Sequence, residues 1–233
     1  FEFFSGYGFN KSHAVSYSIL SYQCAWLFNY YPVEWAAAFL DKEPETRKEK
    51  AMNLVKKFGF KIQSLDINNS GVVWEIADCG KKLIQPLTSL KGLGDKAIEQ
   101  IIDNRPFESL EDLIFNENII YSKLNKKALD VLVRAEALEH IRDDRFNNLK
   151  HFWLSVVANR PKSKKKLKEL IEEHQGTEDF LRDEYIENAV ELSGLYPFSL
   201  VLDEKTLMRL AHHRVPPISE YDTALQVAWF IPR

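Results

Sequence analysis

Glycine is scarce in this chain, with 9 in 233 residues. Two of them falling one residue apart therefore mark a place where the backbone itself is needed. Cysteine is scarcer still: Cys24 and Cys79 stand far apart and in no metal-ligand spacing. That excludes a disulfide scaffold and points to a reducing, cytoplasmic setting. There is no surplus of positive charge, since 31 Lys and Arg face 34 Asp and Glu for a net charge of −3. Bulk charge would slightly repel nucleic acid, so any such contact must be local. The six histidines form no H-x-x-x-H pair, and His212 and His213 are adjacent, which argues against zinc. No Ser/His/Asp order with a nucleophile elbow occurs. No third glycine follows the pair in register, which excludes a dinucleotide-binding turn. The most apolar stretch, Asn10 to Tyr31, is interrupted by Ser16, Ser18, Ser21, Gln23 and Asn29, so a membrane span is not expected. With Phe1 at its start, no signal peptide and an apolar run before Arg233, the chain reads as a piece of a longer one.

What is present is an ordinary globular composition, 45% hydrophobic and 28% charged. Asn10 to Tyr31 is expected to be a buried helix of a large domain, apolar nearly all round and so partly dependent on neighbours, with Cys24 in the core. Tyr31-Pro32 breaks it, Val33 to Leu40 forms a second short helix, and a third runs from about Glu45 to Lys57 with Gly59 as its stop. Lys61 to Ile84 has β-branched residues around an Asn-Asn-Ser-Gly turn and predicts two or three short strands. Leu87 to Leu138 is helical, broken at the glycine pair and at Arg105-Pro106, where Ser109 caps the next helix ahead of Glu111 and Asp112. His140 to Pro161 reads as helical. The basic run Arg160 to Lys168 and the acidic run Glu169 to Glu187 read as a solvated helix pair. The five tryptophans read as packing residues rather than a stacking platform.

The glycine pair lies in "SLKGLGDKAIEQII", Ser89 to Ile102. Leu90 and Leu93 can anchor a tight turn, and Ala97, Ile98, Ile101 and Ile102 share one face of the helix that Asp95 opens. Free backbone N–H groups at a helix N-terminus form an anion site. A phosphate would sit on the amides of Leu93 to Lys96, with Lys91 and Lys96 as local cations, so Lys91, Gly92, Leu93, Gly94, Asp95 and Lys96 are the DNA-binding candidates. Such contacts position a protein on DNA and carry no base information. The pattern matches the helix-hairpin-helix signature, and Asn125 to Leu138 resembles a degenerate second copy. There Ala135-Glu136-Ala137 replaces the expected glycine, which implies a half that packs rather than grips phosphate.

At the N-terminus, Gly6 and Gly8 flank Tyr7, Asn10 or Ser12 can cap the long helix, and Lys11 and His13 sit at its positive end. A triphosphate is a ligand that such an end accepts, though a plainly capped helix with a solvated Lys11 weighs somewhat more on physical grounds alone.

The run G-Y-G-F-N-K-S-H-A, then S-Y-Q, then Y-Y-P-V-E-W-A-A-A, resembles the fingers domain of the bacterial replicative DNA polymerase III alpha subunit. Later features follow in the same order. "SLDINNSG" is similar to that family's Asp-Ile-Asn-x-Ser strand region, and "PLTSLKGLGDKAIEQIIDNRPFESLEDLI" to its tandem helix-hairpin-helix. "ELSGLYPFSL" is similar to its connector motif with Phe198 in place of the usual His, and "LQVAWFIPR" to the first strand of an OB domain. The resemblance implies residues 1–60 as the C-terminal part of the fingers and 61–86 as a small β-containing linker. It implies 87–140 as a tandem helix-hairpin-helix domain, 141–218 as a helical connector and 219–233 as the start of an OB-type domain. The expected fold is mainly α, a multi-part chain with a small β element.

The resemblance further implies template-directed addition of deoxynucleotides, with Mg2+ held by palm aspartates in the parent polymerase. No palm motif occurs here, so this piece is expected to be inactive by itself, with no catalytic or metal-binding residue and no cofactor of its own. Its implied partners are duplex primer-template DNA and the incoming dNTP, the latter near Lys11, Ser12 and His13. A sliding clamp is a further implied partner through Gln175 and Phe180 of "HQGTEDFL", although acidic residues fill the middle of that motif and a capping loop at Gly176-Thr177 is the preferred reading. Two other classes compete. A helix-hairpin-helix repair glycosylase or lyase would need a Val-Asp-Thr-like segment, where this chain has "SLEDLIFNENII". A noncatalytic interaction module would use both hairpins for packing.

Overall fold

The computed structural model describes residues 10–77, 80, 82–194, 196–197, 202, 204–215 and 228. The OB-strand expectation for 219–233 (residue 228 apart), Phe198 of the connector motif, and Gly6 to Gly8 lie outside them. The described chain is mainly helical with one small sheet.

Helix α1, Lys11–Tyr30, starts where Asn10 caps it: the Asn10 Oδ1 accepts from the Ser12 amide at 3.1 Å and from the Ser12 hydroxyl at 2.7 Å. It carries no internal Gly or Pro and gives way at Tyr31 to α2, Pro32–Lys42, whose first residue is the proline that the sequence marks. The expectation that α1 is buried is not met. None of its residues is buried, and Val15, Ile19, Leu20, Tyr22 and Trp26 are all exposed. Cys24 is exposed too, against its assignment to the core. The physical reason is that α1 is apolar around its whole circumference, while the described chain meets it mainly at Phe28, which packs on Trp35 and Phe58.

Helix α3, Lys48–Lys57, follows a 3-10 turn, Glu45–Arg47, and ends before Gly59 at φ +89°. Three short strands come next: β1 Lys61–Gln63, β2 Glu75–Ala77 and β3 Lys82–Ile84. Their order is β1-β3-β2, with β1 parallel to β3 (Ile62 opposite Leu83) and β2 antiparallel to it (Ile76 opposite Leu83). Leu83 faces inward and joins Val33, Ala36, Leu40, Met52, Val55 and Trp74 in a first core.

The segment Asp66–Ser70 corrects the strand-region reading of "SLDINNSG": it is a tight turn. The Ser70 amide donates to the Asp66 carbonyl at 2.8 Å, and the Asp66 carboxylate accepts from the Asn68 amide and the Asn69 side chain. Asp66 and Ser70 are buried, so these bonds satisfy groups that water cannot reach. The turn clasps the rest of the molecule. Asn68 exchanges two hydrogen bonds with the Phe107 backbone, at 2.9 and 2.8 Å, and the Ile67 amide donates to the Ala137 carbonyl at 2.9 Å.

Beyond it lie α4 Asp95–Asn104, α5 Leu110–Ile114 and α6 Lys126–Arg134. Ser109 caps α5 as expected, accepting from the Asp112 amide. The expected helix over His140 to Pro161 is only partly formed. A 3-10 turn, Glu139–Ile141, precedes a loop, and α7, Leu149–Trp153, runs on into a π turn, Leu154–Ala158. The loop persists because Arg145 is held by Asp143 and Glu111 and because Asn148, not His140, supplies the helix cap. Helices α8 Lys164–Glu173, α9 Arg182–Ser193 and α10 Glu204–His212 complete the described chain. A second core, from Ile67 through Leu192, joins α4 to α9 around Ile101, Phe107, Leu132 and Phe152. Among the described residues no helix is long and apolar enough to cross a membrane.

Candidate nucleic-acid interface

The site begins with a turn anchored by its own apolar residues. The 3-10 segment Leu87–Ser89 leads into Leu90 and Leu93, both buried, and α4 follows with Ala97, Ile98 and Ile101 buried beneath it. The two glycines serve different ends. Gly92 has φ +91°, a conformation that L side chains rarely adopt. Gly94 has φ −79° and ψ 153°, open to any residue, yet a Cβ built on it meets no atom within 4 Å. Gly94 thus bares the start of α4 to the outside, where a side chain would stand in front of the amides.

Those amides divide into two groups. The Lys91 amide donates to the Leu192 carbonyl at 2.8 Å, and the Leu93 amide to the Leu90 carbonyl at a long 3.4 Å. The amides of Gly94, Asp95 and Lys96 have no acceptor among the described residues, and all three residues are exposed. They are the orphan donors of the first turn, at the positive end of the α4 dipole. The expected cradle of Leu93 to Lys96 accordingly narrows to Gly94, Asp95 and Lys96. Leu93 acts as a packing anchor, and its amide is engaged inside the turn.

Lys91 and Lys96 part company. Lys96 lines a concavity of about 360 Å³ in front of the turn. Lys91 does not: its Nζ lies 3.3 Å from a Cβ built on Gly194, at the C-terminal end of α9, where a cation meets the negative pole of the dipole. Sequence reasoning missed what lies across the concavity. Lys123, Asn125 and Lys127 form its far wall. Lys127 folds over the turn, its Cε 3.5 Å and its Nζ 4.0 Å from a Cβ built on Gly92. The signal was present in "SKLNKKA", an Asn N-cap with lysines on either side. Asn125 does cap α6, accepting from the Ala128 amide at 3.0 Å.

Residues around 120 are fixed from several sides. The Ile120 amide donates to the buried Gln100 side chain at 2.9 Å, and the Tyr121 hydroxyl to the Ile114 carbonyl at 2.6 Å. Arg160 donates to the Leu124 carbonyl at 2.8 Å and lies 4.3 Å over the Tyr121 ring; burial pulls its pKa down from the usual value. Lys126 is tied to the Ala158 carbonyl at 2.9 Å. Of the basic run, Arg160 is therefore a structural residue, whereas Lys164, Lys165, Lys166 and Lys168 are exposed on α8.

The second hairpin contrasts with the first. At Ala135-Glu136-Ala137 all three amides are engaged, by Val131, Val133 and Leu132 carbonyls respectively. The backbone still makes the left-handed turn, with Glu136 at φ +56° where glycine would be at ease. Burial, then the nearby Glu139 carboxylate, pushes the Glu136 pKa up. With no free amide and two carboxylates, this hairpin offers a phosphate no seat.

Lys11, Ser12 and His13 sit together at the exposed start of α1. The Ser12 amide and hydroxyl already donate to Asn10, and the His13 ring packs on Tyr17 at 4.4 Å between centroids. Gln175 is exposed, with its carbonyl accepting from Asn147. Phe180 is half-buried against the second core, near Trp153 and Tyr185 and under the Lys150 ammonium. Its ring is thus engaged by its own chain. Among the described residues no group of three or more His, Cys, Asp or Glu is placed to hold a metal ion.

Residues 59–148 match a family model described as a helix-hairpin-helix motif, which spans both hairpins and the β element before them. The chain thus contains a helix-hairpin-helix domain. It is 33% identical over 166 residues to the DNA polymerase III subunit alpha of Pseudomonas aeruginosa, a match covering 68% of this chain and 14% of that protein. It is 36% identical over 148 residues to the Thermus aquaticus protein of the same name, covering 61% and 12%, and 33% identical over 173 residues to that of Helicobacter pylori, covering 69% and 14%. The chain is a relative of the DNA polymerase III alpha subunit, and the shared stretch is about one seventh of that protein's length.

Proposed function

We propose that this chain holds the sugar-phosphate backbone of duplex DNA at the Gly92–Lys96 turn, without reading sequence, as part of a DNA polymerase. The observation that carries the proposal is the set of unengaged amides at Gly94, Asp95 and Lys96, pointing outward at a helix start that Gly94 leaves uncovered. The relationship to DNA polymerase III alpha supplies the setting. In that setting Lys11, Ser12 and His13 are proposed to face the triphosphate of an incoming dNTP. Lys11 would supply the charge there, because the Ser12 amide and hydroxyl are engaged by Asn10. Clamp binding through Gln175 and Phe180 has less support, since Phe180 packs against the second core. In the same setting Mg2+ and the polymerisation chemistry are proposed to lie with other parts of a DNA polymerase, and no chemical step is assigned to this chain. Alone, this piece is expected to bind and not to polymerise.

The test is duplex binding by the chain over a series of salt concentrations, read by fluorescence anisotropy. The hairpin, with Lys96 as its charged contact, should bind weakly, at or above about 10⁻⁴ to 10⁻⁶ M, and that contact should contribute roughly −0.9 to the log–log salt slope. Gly92→Val, which forces a β-branched residue to φ +91°, and Lys96→Glu should each weaken binding to every duplex sequence alike. Unchanged binding by both variants would remove the hairpin from the function.

A further inference from the structure

Three lysines from two separate parts of the chain line one concavity: Lys96 from the first turn of α4, and Lys123 and Lys127 from the loop before α6 and its first turn. Among the described residues none of the three has a carboxylate partner, whereas Arg134, Arg142, Arg145, Lys150 and Lys166 are paired. Among the described residues that line the concavity, Asp95 is the only acidic one. Like charges that line one concavity without carboxylate partners repel one another, which suits an anion there. Lys127 is held close to the turn itself, against Gly92, and so faces whatever occupies the hairpin amides. The positions of Lys123 and Lys127 are built in, since Gln100, Tyr121 and Arg160 pin the segment that carries them.

We propose that Lys123 and Lys127 form a second phosphate seat beside the hairpin, which takes the neighbouring phosphates of the same sugar-phosphate strand. This rests on the hairpin reading and extends it: the second half of the tandem motif contributes through the N-terminal end of α6, and its own hairpin at Glu136 stays out of contact. The grip on DNA is then one-sided, with both seats on one concavity.

Three charged contacts predict a log–log salt slope of roughly −2.7, of which Lys123 and Lys127 together supply about 1.8. The experiment is the same salt series on the 233-residue chain with the double variant Lys123→Gln/Lys127→Gln. Glutamine keeps most of the methylene stem, and a thermal melt checks the fold. A double variant of equal charge change on α8, Lys165→Gln/Lys168→Gln, is the control, and Lys127→Glu alone is a second reading that needs no double substitution. The expected result is a slope shallower by about 1.8 for the double variant, a larger affinity loss for Lys127→Glu than for Lys127→Gln, and no change beyond the net-charge effect for the control. If the double variant and the control have equal slopes while Gly92→Val still weakens binding, the second seat is overturned and the hairpin stands. If the wild-type chain binds no duplex, both are overturned.

Discussion

Glu136 and Gly92 occupy equivalent backbone turns, both with positive φ, and only one has the residue that the conformation favours. A non-glycine residue in that region costs about 1 kcal/mol or more. Glu136→Gly should therefore raise stability by about 1 kcal/mol, a rise of roughly 2–4 °C in melting temperature for a chain of this size, measurable by thermal or urea unfolding. A loss of stability would show that the Glu136 side chain contributes more by packing than its backbone loses. Its carboxyl also gives a pH signature. Burial raises its folded-state pKa above the ordinary 4.5. The stability it contributes is complete below 4.5 and fades as pH rises through the raised value, so Glu136→Gln should flatten that decline. Glu111 and Asp143 behave oppositely: hydrogen bonds from Arg145 lower their pKa values, so their contribution is present above 4.5 and 3.8 and is lost as pH falls through the lowered values. Glu136→Gln should leave that acid limb in place.

At the scale of elements, the Asp66–Ser70 turn ties the loop before α5 to the second hairpin. Asn68 bonds both the amide and the carbonyl of Phe107, whose side chain is buried, while Ile67 bonds Ala137 of the second hairpin. Asn68→Ala would leave two backbone groups short of partners and should cost about 2–4 kcal/mol, by chemical denaturation. A cost near zero would mean that water replaces the side chain. This turn also marks where sequence reasoning stops. Helix ends were legible because capping is local: Asn10, Ser109 and the stop at Gly59 each act within a few residues. The glycine pair was legible for the same reason. "SLDINNSG" has strand-like residues beside its turn, and what settles its shape is bonds to Phe107 and Ala137, residues far along the chain. Lys91 and Lys127 show the same limit at the site. Lys91, three residues before Gly94 and a natural phosphate ligand by position, is drawn to the end of α9, while Lys127, over thirty residues beyond the hairpin, lies against Gly92.

Over the whole molecule, two cores divide the work. The first, from Val33 to Leu83, joins α2 and α3 to the sheet; the second, from Ile67 to Leu192, builds both hairpins and the helices behind them. Residues 66–70 pass from one to the other, so the platform of the proposed DNA site rests on the second core. Helix α9 belongs to this platform: Arg134 bonds Asn188 and Glu191 at 2.8 and 2.7 Å, and Leu192 receives the Lys91 amide. Helix α1 has its apolar surface exposed, against the sequence reading of a buried helix. The most direct measurement is the amide spectrum of the isotope-labelled chain titrated with duplex DNA at low salt. Gly94, Asp95 and Lys96 are expected to shift the most, and the amides of Ala135, Glu136 and Ala137, already engaged internally, to stay still. Shifts centred on the second hairpin, or none at Gly94 to Lys96, would contradict the phosphate grip.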